Sequence, residues 1–286
     1  MSRIAYVNGR YLPHRHAAVS IEDRGYQFAD GVYEVIAVYN DRLTDEALHL
    51  ARLARSLEEL RIAAPVPVNA LALILARVIK VNRLAEGFIY LQITRGVAPR
   101  EHGFPAAARP QLVVTARRLK PPPAGQLAEG VRVVSIPEIR WARRDIKSVS
   151  LLPNILGKQA AREQGAYEAW QVDPDGTVTE GTSSNAWIVT QAGEIVTPPP
   201  SPRILNGITR IVTAELARRD GLTVIERHFT LDEAKRAREA FLTATTNPVV
   251  PVTQIDDTVI ANGRPGHVSL RLHELLKAHL RREAGL

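Results

Sequence analysis

Residues 173–185 read Asp173-Pro174-Asp175-Gly176-Thr177-Val178-Thr179-Glu180-Gly181-Thr182-Ser183-Ser184-Asn185, and they decide how the rest of the chain is arranged. Asp-Pro-Asp-Gly, flanked by residues 169–172 and Val178, is a hairpin signal, because glycine supplies the positive φ of a tight turn. Beyond the turn, one carboxylate and five small hydrogen-bonding side chains crowd around Gly181. That composition suits a polar loop between strands. It equally suits a cradle for a polar ring or an anion.

Outward from this hairpin, short strands alternate with amphipathic helices. On the N-terminal side, residues 4–7 turn at Asn8-Gly9 into Tyr11-Leu12, and strands are expected at 32–39, 88–94 and 111–116. Asp45 is placed to cap a helix running to about Leu60, with Leu50, Leu53, Leu57 and Leu60 at helical spacing. Residues 68–81 read as a helix apolar on most sides, hence buried. Lys120-Pro121-Pro122-Pro123-Ala124-Gly125 is stiff and non-helical. Past it come a strand at 131–136 and a helix over 152–164 stopped by Gly165. A second hairpin joins 186–189 to 194–196. Helices over 208–218 and 269–282 and short strands at 224–226, 240–244 and 252–255 complete the chain. The expectation is an α+β protein in two halves: an N-terminal domain at 1–118, a linker at 119–127 and a larger C-terminal domain at 128–286.

The 286 residues leave room for two domains and for cores that need no staple. The absence of cysteine removes disulfides, thiolate metal sites and a Cys nucleophile. His14 and His16 have no HExxH or carboxylate cluster beside them, so no metal is expected. No GxGxxG follows a strand, and neither GxxxxGK[ST] nor GxSxG occurs. No apolar run is long enough to span a bilayer, and residues 1–10 lack a signal-peptide core. A cytoplasmic protein is the default expectation. The 37 Lys and Arg against 30 Asp and Glu give +7. They are spread without a run of five, whereas a nucleic-acid surface clusters them. Neither a nucleic-acid nor a membrane partner is therefore expected. Only six are lysines: Lys80, Lys120, Lys147, Lys158, Lys235 and Lys277.

Lys147 stands in Arg143-Arg144-Asp145-Ile146-Lys147-Ser148, just before a helix. Neighbouring cations favour the neutral amine, and a neutral lysine attacks a carbonyl to form a Schiff base. A solvated basic turn is the plainer account. Residues 94–105 run from a strand into a Pro/Gly loop with Arg100 and His102, both able to donate to a carboxylate; here the plainer account is a solvated loop. His49, Arg52 and Ser56 share one helix face. Asn206-Gly207-Ile208-Thr209 opens a helix whose free N–H groups favour an anion, and residues 243–247 add hydroxyls. Together they fit one ligand: an aldehyde cofactor with a phosphate and a protonatable ring nitrogen.

With Asp30-Gly31-Val32-Tyr33-Glu34 and Leu205-Asn206-Gly207-Ile208-Thr209-Arg210, these stretches, in this order and spacing, resemble the class IV (fold-type IV) pyridoxal-phosphate aminotransferases. The similarity runs nearly end to end and is strongest to the D-amino-acid transaminase branch. It implies a small N-terminal α/β domain and a larger C-terminal domain with a β-barrel-like core. It also implies a homodimer, with pyridoxal 5'-phosphate in the cleft between the halves. By the same resemblance, Lys147 carries the cofactor covalently and moves the substrate proton, and Glu180 faces the ring nitrogen. Arg52, Ile208, Thr209 and Thr245 hold the phosphate, Leu205 packs behind the ring, and Tyr33 lies near the substrate carboxylate.

Pro99-Arg100-x-His102 matches the pattern by which the D-amino-acid branch grips the α-carboxylate, in that family from the neighbouring subunit. Such a grip decides which enantiomer presents its Cα–H to the base. The implied reaction moves the amine of a D-amino acid such as D-alanine to 2-oxoglutarate, giving pyruvate and D-glutamate. The nearest alternative is a branched-chain L-amino-acid or (R)-amine transaminase, followed by an aminodeoxychorismate lyase. A non-enzymatic basic binding protein is the remote one. Three positions depart from the commonest family pattern: Ala29 for glycine, Ser150 for asparagine and Ala244 for serine. The last two bear on pocket polarity and cofactor retention.

Overall fold

The computed structural model describes residues 3–119 and 125–286. Most of the expected linker, including Pro121–Pro123, lies outside these described residues. The chain divides into two units. Met1–Lys120, Ile146–Ser150 and Leu280–Leu286 form the first; Pro121–Asp145 and Leu151–His279 form the second.

In the first unit, β1 (Ile4–Val7), β2 (Arg10–Pro13), β3 (Gly31–Tyr39), β4 (Arg42–Leu43), β5 (Gly87–Thr94) and β6 (Gln111–Arg118) form one antiparallel sheet. The order among the described residues is β2-β1-β6-β5-β3-β4. β3 and β5 pair from Gly31↔Thr94 to Val38↔Gly87. Helices α1 (Arg24–Phe28), α2 (Glu46–Glu59) and α3 (Val68–Asn82) accompany the sheet. Leu53 and Leu57 of α2 and Leu71, Leu75 and Val78 of α3 join Val32, Ile36, Ile89 and Leu91 in its core.

Two expectations fail here. Asp45 does stand at the start of α2, but its backbone is left-handed (φ 52°) and its side chain caps nothing. Capping side chains act from extended backbone; from the left-handed region it is the Asp45 carbonyl that joins the helix, accepting from His49 N–H at 3.2 Å. α3 is not buried on most sides either, since Val68 and Leu73 are 62% and 72% exposed. A helix lying on a sheet covers only one stripe of its surface, and here Leu71, Leu75, Val78 and Ile79 fill that stripe.

The second unit opens with α4 (Gln126–Glu129), β7 (Val131–Pro137) and α5 (Leu152–Glu163). The expected hairpin follows as β8 (Glu168–Val172) and β9 (Val178–Gly181), its turn closed by Asp173 N–H to Thr177 carbonyl at 2.9 Å. Next come β10 (Asn185–Val189), β11 (Ile195–Thr197), α6 (Ile208–Arg219), β12 (Val224–Glu226) and α7 (Leu231–Lys235). β13 (Glu239–Ala244), β14 (Asn247–Ile255), β15 (Thr258–Val259) and α8 (His267–Glu283) close the chain. The described strands make one mixed sheet, β12-β11-β10-β13-β14-β7-β8-β9, with β15 on β14. It curls into a half-barrel around Trp170, Ile188, Phe229, Leu242 and Val252. Gly181 N–H donates to Ser184 carbonyl at 2.7 Å, so the step from β9 to β10 is a tight corner.

Candidate active site

In the first unit, residues 146–149 lie along the start of β3. Tyr33 N–H donates to the Lys147 carbonyl and Val149 N–H to the Gly31 carbonyl, both at 3.0 Å, and Val32 bridges to Ser148. The Lys147 N–H donates to Ser56 Oγ on α2 at 3.3 Å. With its backbone so fixed, the half-buried lysine sets its Nζ 4.4 Å from the Tyr33 ring centroid. Tyr33 in turn stacks on Tyr90, centroids 5.7 Å apart and 28° between planes. Burial, helped by Tyr33, pushes the Tyr90 hydroxyl up to about 12.

Glu34, the next residue of β3, has no exposed surface. Arg52 grips it with a fork, Nε to Oε1 at 2.7 Å and Nη2 to Oε2 at 2.8 Å, and His49 Nδ1 lies 2.8 Å from Oε2. Burial alone would raise this carboxyl; Arg52 and His49 outweigh it and hold it at about 2. Burial lowers His49 despite Glu34, and the Arg52 and Lys147 charges push the same way, which favours the neutral imidazole. The helix face shared by His49, Arg52 and Ser56 is thus gathered as the sequence spaces it: two residues serve Glu34 and the third serves Lys147.

In the second unit, β9 and β10 bring Glu180 and Asn185 together at the mouth of the corner. Glu180 is 4% exposed. It accepts from Arg140 Nη1 at 2.5 Å, Asn185 Nδ2 at 3.0 Å and the Leu205 N–H at 3.1 Å. Arg140 directs its other donors to Glu138, Nε to Oε1 at 3.0 Å and Nη2 to Oε2 at 2.6 Å. Burial raises Glu180 and prevails over Arg140. Asn185 also donates to the Leu205 carbonyl at 2.8 Å. This requires a glycine at 207, since a Cβ there would fall 2.1 Å from Asn185 Oδ1. Gly207 is the N-cap of α6 and offers no side-chain cap. The first turn, with Ile208 buried and Thr209 half-buried, is the kind of helix start that receives an anion. Leu205 and Glu180 are therefore in contact, and Ile208 and Thr209 follow directly. Thr245 lies in the turn between β13 and β14.

Arg100 and His102 are exposed and do not join the Lys147 group within this chain; both lie against Phe28. Among the described residues no group of three or more His, Asp or Glu is placed to hold a metal ion, and no helix is long and apolar enough to cross a membrane.

Sequence reasoning gave no role to Glu34, Glu138 or Arg140. Glu34 had a signal: with Val32, Ile36 and Val38 it lies on the period-two face that is wholly buried, and a carboxylate there demands a partner. Glu138 and Arg140 lie in an irregular stretch with no such periodicity.

Comparison with known proteins gives the family. A family model described as amino-transferase class IV matches residues 31–255. The chain is 42% identical to a D-alanine aminotransferase of Bacillus licheniformis over 270 residues, 94% of each protein. It is 37% identical to one of Staphylococcus haemolyticus over 94% of this chain and 95% of that one. Among solved structures, the T.th. branched-chain amino acid aminotransferase with pyridoxamine 5'-phosphate superposes with a TM-score of 0.91. The identity is 26%, over 99% of this chain and 95% of that one.

Proposed function

The chain belongs to the class IV aminotransferases, and on that premise we propose that it transfers the amino group of a D-amino acid such as D-alanine to 2-oxoglutarate, giving pyruvate and D-glutamate. Its cofactor is pyridoxal 5'-phosphate. One observation carries the reading. Lys147 is pinned at its own N–H and carbonyl while its amine is left on the face of Tyr33. A backbone so fixed gives the amine a defined origin, and the Tyr33 ring gives it a neighbour to rest on, from which to transfer a proton.

When bound, pyridoxal phosphate supplies an aldehyde that takes up the amino group and a ring that accepts the electron pair released at the substrate Cα. The chain's own residues do the rest. Lys147 would hold the cofactor, and its amine would remove and return the substrate Cα proton. Glu180, oriented by Arg140, Asn185 and the Leu205 N–H, would hold the ring nitrogen. Its raised pKa makes it a stronger hold on a shared proton than a fully paired carboxylate. Arg52, anchored by Glu34, would hold the phosphate with Ile208, Thr209 and Thr245, and Leu205 would support the ring. Tyr33, Arg100 and His102 receive the substrate carboxylate.

A homodimer in the cytoplasm belongs to the same proposal, with Arg100 and His102 serving the neighbouring subunit's site. What supports a second copy is the exposed apolar set Ile21, Tyr26, Val97 and Phe104 beside that loop, each at least 43% exposed. The branched-chain fold neighbours favour L-leucine as the second candidate substrate.

Two experiments test the proposal. Borohydride reduction of the yellow holoenzyme should fix the cofactor to Lys147, and Lys147→Ala should abolish that link. A matched assay of D-alanine and L-leucine with 2-oxoglutarate should show the D-enantiomer preferred; activity with L-leucine alone would overturn the substrate assignment.

A further inference from the structure

We infer that Arg24 and Phe28, at the two ends of α1, are positioning residues that hold Arg100 and His102 in the geometry needed to grip a carboxylate. The inference rests on the carboxylate role proposed above for that pair.

The loop from Pro99 to Phe104 is exposed along its whole length. A free loop of this kind would have to be ordered each time substrate binds, and that entropy would weaken the grip. Arg24 removes much of the freedom. It is 3% exposed, and its guanidinium reaches the loop's backbone rather than its side chains. Nη1 donates to the Glu101 carbonyl at 2.5 Å and Nη2 to the His102 carbonyl at 3.3 Å. Its Nε donates to Asp30 Oδ2 at 2.8 Å. Asp30 is in turn forked by Arg95, Nε to Oδ2 at 2.7 Å and Nη2 to Oδ1 at 3.0 Å. Arg95 continues to the Leu60 and Arg61 carbonyls at the end of α2. The loop backbone is thereby tied, through three charged groups, to the helix that presents His49, Arg52 and Ser56.

Phe28 does for the side chains what Arg24 does for the backbone. Arg100 Cζ lies 4.7 Å from its ring centroid, and the His102 ring lies 5.4 Å away at 47°. Arg24 Cζ is 4.9 Å from the same centroid. One ring thus touches both members of the pair, so their spacing follows the ring and not the loop. A guanidinium against an aromatic face is attracted to it while its N–H edge stays available to an anion. That edge is what a carboxylate needs.

The test uses the purified holoenzyme with Phe28→Leu, Phe28→Tyr and Arg100→Ala. Phe28→Leu keeps the apolar bulk and removes the ring. It should raise KM for both D-alanine and 2-oxoglutarate about tenfold, the equivalent of one cation–π contact, with kcat within about twofold. Phe28→Tyr keeps the ring and should return KM to within about twofold of the parent. A merely structural Phe28 would lower thermal stability and leave KM where it was. If Arg100→Ala raises KM but Phe28→Leu does not, the positioning role is overturned and the carboxylate role stands. If Arg100→Ala leaves KM unchanged, both fall. If Phe28→Tyr behaves as Phe28→Leu, the ring is not the agent and the inference is likewise overturned.

Discussion

Glu34 in the first unit and Glu180 in the second are both buried carboxylates met by a half-buried arginine, yet their protonation is driven in opposite directions. The difference lies in where the guanidinium fork points. Arg52 gives Glu34 both Nε and Nη2, and His49 adds a third contact. Arg140 gives that fork to Glu138 and offers Glu180 a single Nη1. Glu34 is accordingly held at about 2, whereas burial keeps Glu180 raised. Charge state in these interiors is set by the direction of the fork rather than by the mere presence of an arginine. Glu180, the carboxylate proposed to face the cofactor ring, is the one that receives no fork.

The contrast can be broken most violently from the Arg52 side. Arg52→Met leaves Glu34 buried without its main partner, which should cost about 3–5 kcal/mol in urea unfolding. It should also weaken cofactor retention. A loss under about 1 kcal/mol would mean that the fork does not hold the charge. Neutral isosteres sharpen the contrast. Glu34→Gln should destabilise by about 2–3 kcal/mol, because it strands Arg52 and His49. Glu180→Gln should stay within about 1 kcal/mol of the parent in stability but lose about 100-fold or more in turnover. Equal stability losses would erase the distinction.

Acid titration of Tm reads the same difference. Glu34 moves from an ordinary 4.5 down to about 2 on folding. Its contribution is therefore complete above pH about 4.5 and lost as pH falls toward 2. Glu180 is raised, so its contribution has the opposite sign: it is present below its ordinary value and lost as pH rises through the folded one. Glu34→Gln should flatten the acid limb of the profile.

The smallest effect concerns a third carboxylate, Asp30, which belongs with Glu34 because Arg95 and Arg24 overcome its burial and lower it. Its neighbour Ala29 sits at φ 55°, where a side chain is strained. Ala29→Gly should raise stability by up to about 1 kcal/mol, partly offset by the greater freedom of glycine in the unfolded chain. Thermal unfolding would show it, with KM for D-alanine unchanged.

The sequence discloses these regions unequally. The hairpin at 173–177 and the helices at 152–164 and 208–218 follow from turn residues and spacing, and the structure has them within two residues. The motifs around Lys147 and Glu180 are likewise local, as is the face of His49, Arg52 and Ser56. What stayed hidden depends on contacts distant in sequence. Glu138 and Arg140 acquire meaning only when β9 brings Glu180 to them. Arg24 and Phe28 sit in a five-residue helix too short to leave a periodic signal. Asp45 illustrates the converse: the right residue stands at a helix start, but its backbone is left-handed and its side chain makes no cap.

The five residues Ile146–Ser150 belong to the first unit although their flanks belong to the second, and Leu280–Leu286 return to it at the very end. In the order of synthesis, the first unit is thus the last to be finished. When residues 1–118 have emerged, the Tyr33 N–H and the Gly31 carbonyl still lack the partners that Lys147 and Val149 bring, and Asn40 lacks the Ala284 carbonyl. A fragment ending at 118 would carry an open edge on β3, the kind of edge that recruits other chains. Lys147 is therefore also a late fastening: the stretch that places its amine beside Tyr33 is the stretch that completes this part of the sheet edge.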